Sequence, residues 1–136
     1  TPMLPSGEVD LGACAELARI LVANGSQGLV VTGTTGEAPT LSREEKKSIW
    51  GAVKAAVGGE VFIVAGATNY STKESIDGTK DAALSGADAI LLTVPYYTNQ
   101  HKRDYLSISR LLQMQPVFLV FCTTFLQELA LIWNQR

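Results

Sequence analysis

Only two cysteines occur among the 136 residues, Cys14 and Cys122, and they stand far apart with no companion at metal-ligand spacing. That excludes a disulfide framework and a thiolate metal centre, and reads as two reduced thiols in a reducing compartment. Charge of one sign is equally scarce. Eleven basic against 13 acidic residues leave a formal net charge of −2, and the basic ones are dispersed, so there is no cationic patch for nucleic acid. The longest apolar stretch, residues 116–133, is interrupted by Gln127 and Glu128 and is too short to span a bilayer securely. No basic segment followed by an apolar one opens the chain, so no signal peptide is expected. The expected setting is the cytoplasm; a plastid protein without its transit peptide would read the same way. Small anionic or neutral metabolites remain as ligands.

The chain is 46% hydrophobic, enough for one modest core, but its pattern argues for part of something larger. From Val9 to Asn24 the apolar positions Leu11, Cys14, Leu17, Leu21 and Val22 recur at helical spacing, with Asp10 as N-cap and Gly25 as stop. A strand is expected over 28–32. Ser42-Arg43-Glu44-Glu45 predicts a capping box, and Ile49, Val53, Ala56 and Val57 give the helix behind it one buried face before Gly58-Gly59. The unit then recurs: an apolar strand over 61–65, a second capping box at Ser71-Thr72-Lys73-Glu74, a helix to about Leu84, and a third strand over 89–94. Unbroken Val/Ile/Leu strands alternating with amphipathic helices predict an α/β fold with parallel pairing, right-handed crossovers and both sheet faces covered.

Unusual chemistry gathers where each strand ends. The first ends in Gly33-Thr34-Thr35-Gly36-Glu37, the second in Gly66-Ala67-Thr68-Asn69, the third in Pro95-Tyr96-Tyr97. A buried strand breaking into a Gly-hydroxyl-hydroxyl-Gly turn offers backbone N–H groups and two hydroxyls at a sheet edge, which is a socket for a small carboxylate. In a parallel α/β barrel these ends share the rim where active sites are built. A complete barrel needs about 250 residues, so the chain holds part of one. Glu37 reads as a structural support of the turn, and the lone His101 is given no role.

Thr1-Pro2-Met3, the run from Gly33 through Ser42, Ala65-Gly66, and Gly86-Ala87-Asp88 leading into Pro95-Tyr96-Tyr97 resemble the dihydrodipicolinate synthase family. These pyruvate-dependent class I aldolases also include N-acetylneuraminate lyase. The resemblance runs from Thr1 to about Leu106. It implies the first three to four βα units of a (β/α)8 TIM barrel and a lyase that condenses pyruvate with aspartate semialdehyde in lysine biosynthesis, the diaminopimelate route. Pyruvate would be held as a Schiff base on a lysine. Carried over by position, Thr35 binds the pyruvate carboxylate within the turn bounded by Gly33 and Gly36. Thr34 and Tyr97 belong to a proton relay, Tyr97 reaching into a neighbouring subunit's site. A neutral hydroxyl chain passes a proton without burying charge. No metal or organic cofactor is implied, and a homo-oligomer, dimer or tetramer, is expected. In lysine-sensitive bacterial members the feedback site has histidines where Arg43 and Lys46 stand here. Basic residues there would repel a lysine effector, so insensitivity is expected; inhibition by lysine of an intact homologue carrying both residues would contradict it.

Past Leu106 the resemblance stops. The family continues with a helix, a strand ending in Tyr-Asn-Val-Pro, and later the Schiff-base lysine, and none of these is expected in residues 108–136. Lys46, Lys47, Lys54, Lys73, Lys80 and Lys102 all read as solvated helix or loop lysines. Codons can be chosen for residues 121–136 that, read two bases later, give LYNVPSRAGSDMEPE, and a like choice for 107–116 gives SHFKAIADAT once one base is restored. These are the family segments that the tail lacks. The expected organisation is therefore a partial barrel over 1–107 and a divergent, frame-shifted tail over 108–136. With the first barrel strand missing and an apolar tail exposed, aggregation or degradation in isolation is expected.

Two other functions fit the residues. One is aldol cleavage of another 2-oxo acid within the family, although Ala38-Pro39-Thr40 favours the synthase. The other is a non-catalytic assembly module that joins intact subunits through the Tyr96-Tyr97 region.

Overall fold

The computed structural model describes residues 1–93 and the backbone of one further strand, Phe118–Cys122. Tyr96, Tyr97, His101 and Lys102 lie outside the described residues. The elements are α1 (Leu11–Ala23), β1 (Gly28–Val31), α2 (Arg43–Val57), β2 (Phe62–Ala65), α3 (Thr72–Leu84), β3 (Ala89–Thr93) and β4 (Phe118–Cys122), with a short 3-10 turn at Ala38–Thr40 after β1. The four strands form one sheet in the order β1-β2-β3-β4, every pair parallel. Neighbours in sequence are neighbours in space, so the sheet advances in one direction as a barrel wall does. β4 lies in the tail, and its sequence does not carry the Tyr-Asn-Val-Pro ending expected to be missing there. The run Phe118-Leu119-Val120-Phe121-Cys122 pairs residue by residue with β3, from Ala89↔Phe118 to Thr93↔Cys122, as expected of a β-prone apolar run beside an open sheet edge.

The caps explain where the helices start. Asp10 accepts from Ala13 N at 2.8 Å. Ser42 and Glu45 close the capping box in both directions, Ser42 N donating to the Glu45 carboxylate at 2.8 Å. The second box is only half made. Ser71 Oγ accepts from Glu74 N, but the Glu74 carboxylate takes the Asn69 side-chain amide, and Ser71 N donates instead to Asn69 Oδ1 at 2.6 Å. Asn69 is the stronger competitor because its amide supplies an acceptor to Ser71 and a donor to Glu74 together.

One face of the sheet carries the core. Leu29 and Val31 of β1, Ile63 and Ala65 of β2 and Ile90 of β3 pack with Cys14 and Ala18 of α1, Ile49, Trp50 and Val53 of α2 and Ala82 of α3. All three helices thus cover the same face. The other face departs from expectation, since Val30 is 61% and Phe62 46% exposed. Four strands make an arc whose inner side closes only against further strands. The apolar stripe of α1 also divides: Cys14 is buried while Leu11, Leu17 and Leu21 are exposed. Cys14 and Ala18 enter the core, with Val22 packed against it.

Candidate functional site

Parallel pairing puts the C-terminal ends of β1, β2 and β3 on one rim, and the Gly-Thr-Thr-Gly turn sits there. Strand β1 ends one residue earlier than expected because Thr32 adopts φ 56°, in the left-handed region. For a β-branched residue that is a strained conformation costing about 1–3 kcal/mol, and it turns the chain sharply off the sheet. Gly36 N and Ala38 N then both donate to Gly33 O, at 3.0 and 3.3 Å, and Glu37 N donates to Thr34 O at 3.0 Å. Glu37 closes the turn at φ 63°, and its carbonyl accepts from the Thr40 hydroxyl at 2.9 Å. Its place is structural, through its backbone.

Inside this frame Thr34 and Thr35 are exposed. Neither their hydroxyls nor their backbone N–H groups donate to another described residue. A Cβ added at Gly33 would lie 3.4 Å from Val30 Cγ1 and 3.6 Å from Leu91 Cδ2, so the turn begins over the open face of the sheet. The Thr1 hydroxyl donates to Gly36 O from the other side. The structure therefore brings Gly33, Thr34, Thr35 and Gly36 together in one turn, while Tyr97 falls outside the described residues.

Thr32 and Trp50, which sequence reasoning did not single out, hold this rim together with Gly66 and Thr68 of the second strand-end motif. The Thr32 hydroxyl is buried, lies 2.7 Å from Val31 O and 3.2 Å from Gly66 O, and accepts from the indole N–H of Trp50 at 2.8 Å. Gly66 has no room for a side chain, since a Cβ there would stand 2.0 Å from Thr32 O. One strand further on, Thr68 Oγ1 accepts from Thr93 N at 3.0 Å and lies 3.1 Å from both Leu91 O and Thr93 Oγ1. Threonine hydroxyls thus stitch β1 to β2 and β2 to β3 at the strand ends. For Thr32 the only sequence signal was its position after an apolar run.

The lysines are placed elsewhere. Lys54 is not a solvated helix lysine: its ammonium lies 3.1 Å from Asp88 Oδ2, with the side chain 23% exposed. Asp88 also accepts from Ile63 N at 2.8 Å, which puts the pair at the N-terminal ends of β2 and β3, opposite the rim. Burial alone would raise the Asp88 pKa, but the Ile63 N–H and the Lys54 ammonium together hold it below the usual carboxylate range. Lys46 is half-buried, and that burial pushes its pKa down. Lys73 and Lys80 are exposed on α3. Arg43 is committed to Asp81 of α3, whose carboxyl is lowered chiefly by that hydrogen bond. Among the described residues no lysine lies within β1, β2, β3 or the residue 33–37 turn, and no group of His, Cys, Asp or Glu converges as a metal site. No helix among them is long and apolar enough to cross a membrane.

Residues 1–109 match the family model described as the dihydrodipicolinate synthetase family. The 4-hydroxy-tetrahydrodipicolinate synthase of Symbiobacterium thermophilum is 53% identical over 97 residues, covering 71% of this chain and 33% of the relative. Among solved structures, the dihydrodipicolinate synthase of Bacillus anthracis superposes with a TM-score of 0.85 at 34% identity, over 89% of this chain and 42% of that one. A chloride-inhibited dihydrodipicolinate synthase from Acinetobacter baumannii, complexed with pyruvate, gives the same TM-score, identity and coverage. With a rim of threonine and glycine turns on a parallel sheet, and a match covering most of its residues, this chain belongs to the dihydrodipicolinate synthase family and spans about a third of the length of the curated relative it matches.

Proposed function

We propose that residues 33–36 seat the carboxylate of pyruvate in a lyase of the 4-hydroxy-tetrahydrodipicolinate synthase type, which joins pyruvate to aspartate semialdehyde through a Schiff base in lysine biosynthesis. The observation that carries this reading is the pair Thr34 and Thr35. Both are exposed on the strand-end rim, with hydroxyls and N–H groups that no described residue uses. In this reading Thr35 holds the carboxylate by its hydroxyl and amide, and Gly33 and Gly36 let the backbone approach the anion without a Cβ in the way. Thr34 starts a proton relay that Tyr97 continues, in a cytoplasmic homo-oligomer where Tyr97 comes from a neighbouring subunit.

The imine is the electron sink of such chemistry, and it needs an amine among the groups around the substrate. Lys54 is bound to Asp88 at the far end of the strands, and Lys46, Lys47, Lys73 and Lys80 are helical. In this reading the described residues 1–93 bind the carboxylate without activating the ketone, and residues 108–136 are out-of-frame translation of a family segment. Equilibrium dialysis with labelled pyruvate tests the first point: saturable binding that Thr35→Val abolishes supports it, and binding indifferent to that substitution removes it.

A further inference from the structure

We infer that Thr32 and Trp50 are positioning residues for the residue 33–36 turn: a buried hydrogen bond from a helix of the outer layer fixes the geometry of the carboxylate seat on the rim. The inference rests on the pyruvate reading above for its ligand, although its geometry stands apart from it.

Thr32 is the residue at which the chain leaves β1 and enters the turn, and it does so at φ 56°. Threonine does not take that conformation by preference, so its surroundings must over-determine it. They do so through one atom. Thr32 Oγ1 accepts the Trp50 indole N–H at 2.8 Å, and its single proton has two acceptors within reach, Val31 O at 2.7 Å and Gly66 O at 3.2 Å. Donor and acceptor are both within the core, Thr32 at 3% and Trp50 at 1% exposure. Water is not there to replace either partner.

Trp50 lies on α2 and Gly66 directly follows β2, so this hydroxyl joins the helix layer, the neighbouring strand end and the turn. Gly66 N donates to Val31 O at 2.8 Å, which clamps the last residue of β1 from the same side. The next residues outward are Gly33, Thr34 and Thr35. A seat for a planar carboxylate depends on the relative aim of successive N–H and O–H groups, and here that aim is set at Thr32. The indole nitrogen does not touch the ligand; it acts through the Thr32 hydroxyl.

The full 136-residue chain tests this with two readouts, hydrogen–deuterium exchange in peptides covering residues 33–41 and affinity for pyruvate by dialysis. Trp50→Phe keeps one aromatic ring and removes the donor along with the pyrrole half of the indole. Thr32→Val keeps the shape and removes the hydroxyl, and Thr32→Ser restores it. Val53→Ala, a core truncation away from the turn, measures what general destabilisation does alone. The expected result is about a tenfold loss of pyruvate affinity and faster exchange of the turn in Trp50→Phe and Thr32→Val, with Thr32→Ser close to wild type and Val53→Ala altering neither. Should Trp50→Phe not fold, the Thr32→Val and Thr32→Ser pair decides alone. Wild-type exchange and affinity in Thr32→Val, or losses matched by Val53→Ala, would overturn the inference. Loosening of the turn in a chain that never binds pyruvate would uphold the positioning role and discard the pyruvate reading.

Discussion

Asp88 and Ile63 are bonded to each other twice: the Asp88 carboxylate accepts from Ile63 N at 2.8 Å, and Asp88 N donates to Ile63 O at 2.9 Å. Asp88 stands just before β3 and Ile63 lies within β2, so this pair sets the stagger between the strands at the end opposite the rim. Lys54 neutralises the carboxylate from α2. Asp88→Ala should therefore strand the N–H of buried Ile63 and leave Lys54 without this partner, a loss of about 1–3 kcal/mol in denaturant unfolding.

The same carboxylates predict acid lability. Asp88 and Asp81 both titrate below the ordinary aspartate range in the folded chain. A depressed folded pKa contributes stability that is complete above the unfolded value and is lost as pH falls through the folded one. Stability should hold flat down to about pH 5 and then drop, and the drop should shrink in the Asp81→Asn, Asp88→Asn double variant. An acid limb identical in the two proteins would contradict the assignment.

Gly66→Ala is expected to be among the most damaging single substitutions in the chain. Its Cβ would be placed 2.0 Å from the Thr32 carbonyl oxygen, a backbone atom that cannot swing away as a side chain would. About 3 kcal/mol of destabilisation should follow, together with loosening of the turn. Gly51→Ala on α2, where a Cβ meets nothing within 4 Å, should be neutral or slightly stabilising in the same melt.

The open face of the sheet bears on behaviour in solution. Val30 and Phe62 project from the face opposite the helices and are largely exposed, an apolar surface next to a parallel edge. Sedimentation should show self-association of the 136-residue chain. Val30→Lys with Phe62→Lys should reduce it, whereas a cooperative thermal transition from a soluble wild-type monomer would contradict this view.

The repeating α/β order and parallel pairing were legible in the sequence because apolar period and capping residues are local signals. So was the Gly33-Thr34-Thr35-Gly36 turn. What escaped reading was set by partners distant in sequence. Thr32 looks like one more β-branched strand residue, and only Trp50 and Gly66 explain why it turns. Lys54 looks solvated until Asp88, 34 positions away, is seen beside it. The Ser71 box is the local exception: it matches its pattern, yet Asn69, two residues before Ser71, diverts the glutamate. β4 was hidden by a different cause: a continuous apolar run has no period to read, and its pairing with β3 decides its form.

The out-of-frame origin proposed for residues 108–136 is to be tested on the coding DNA from about codon 100 onward. One missing base near codon 107, followed by an open frame carrying Tyr-Asn-Val-Pro and a later lysine, is expected. Codons that do not yield those segments in another frame would make the tail genuine.

The most direct test of the central claim is mass spectrometry of the 136-residue chain after incubation with pyruvate, with and without borohydride, alongside hydrogen exchange of residues 33–41. The account predicts pyruvate-dependent protection of the turn, lost in Thr35→Val, and no reduced adduct on any lysine. A borohydride-trapped pyruvate adduct, or a turn whose exchange ignores pyruvate, would contradict it.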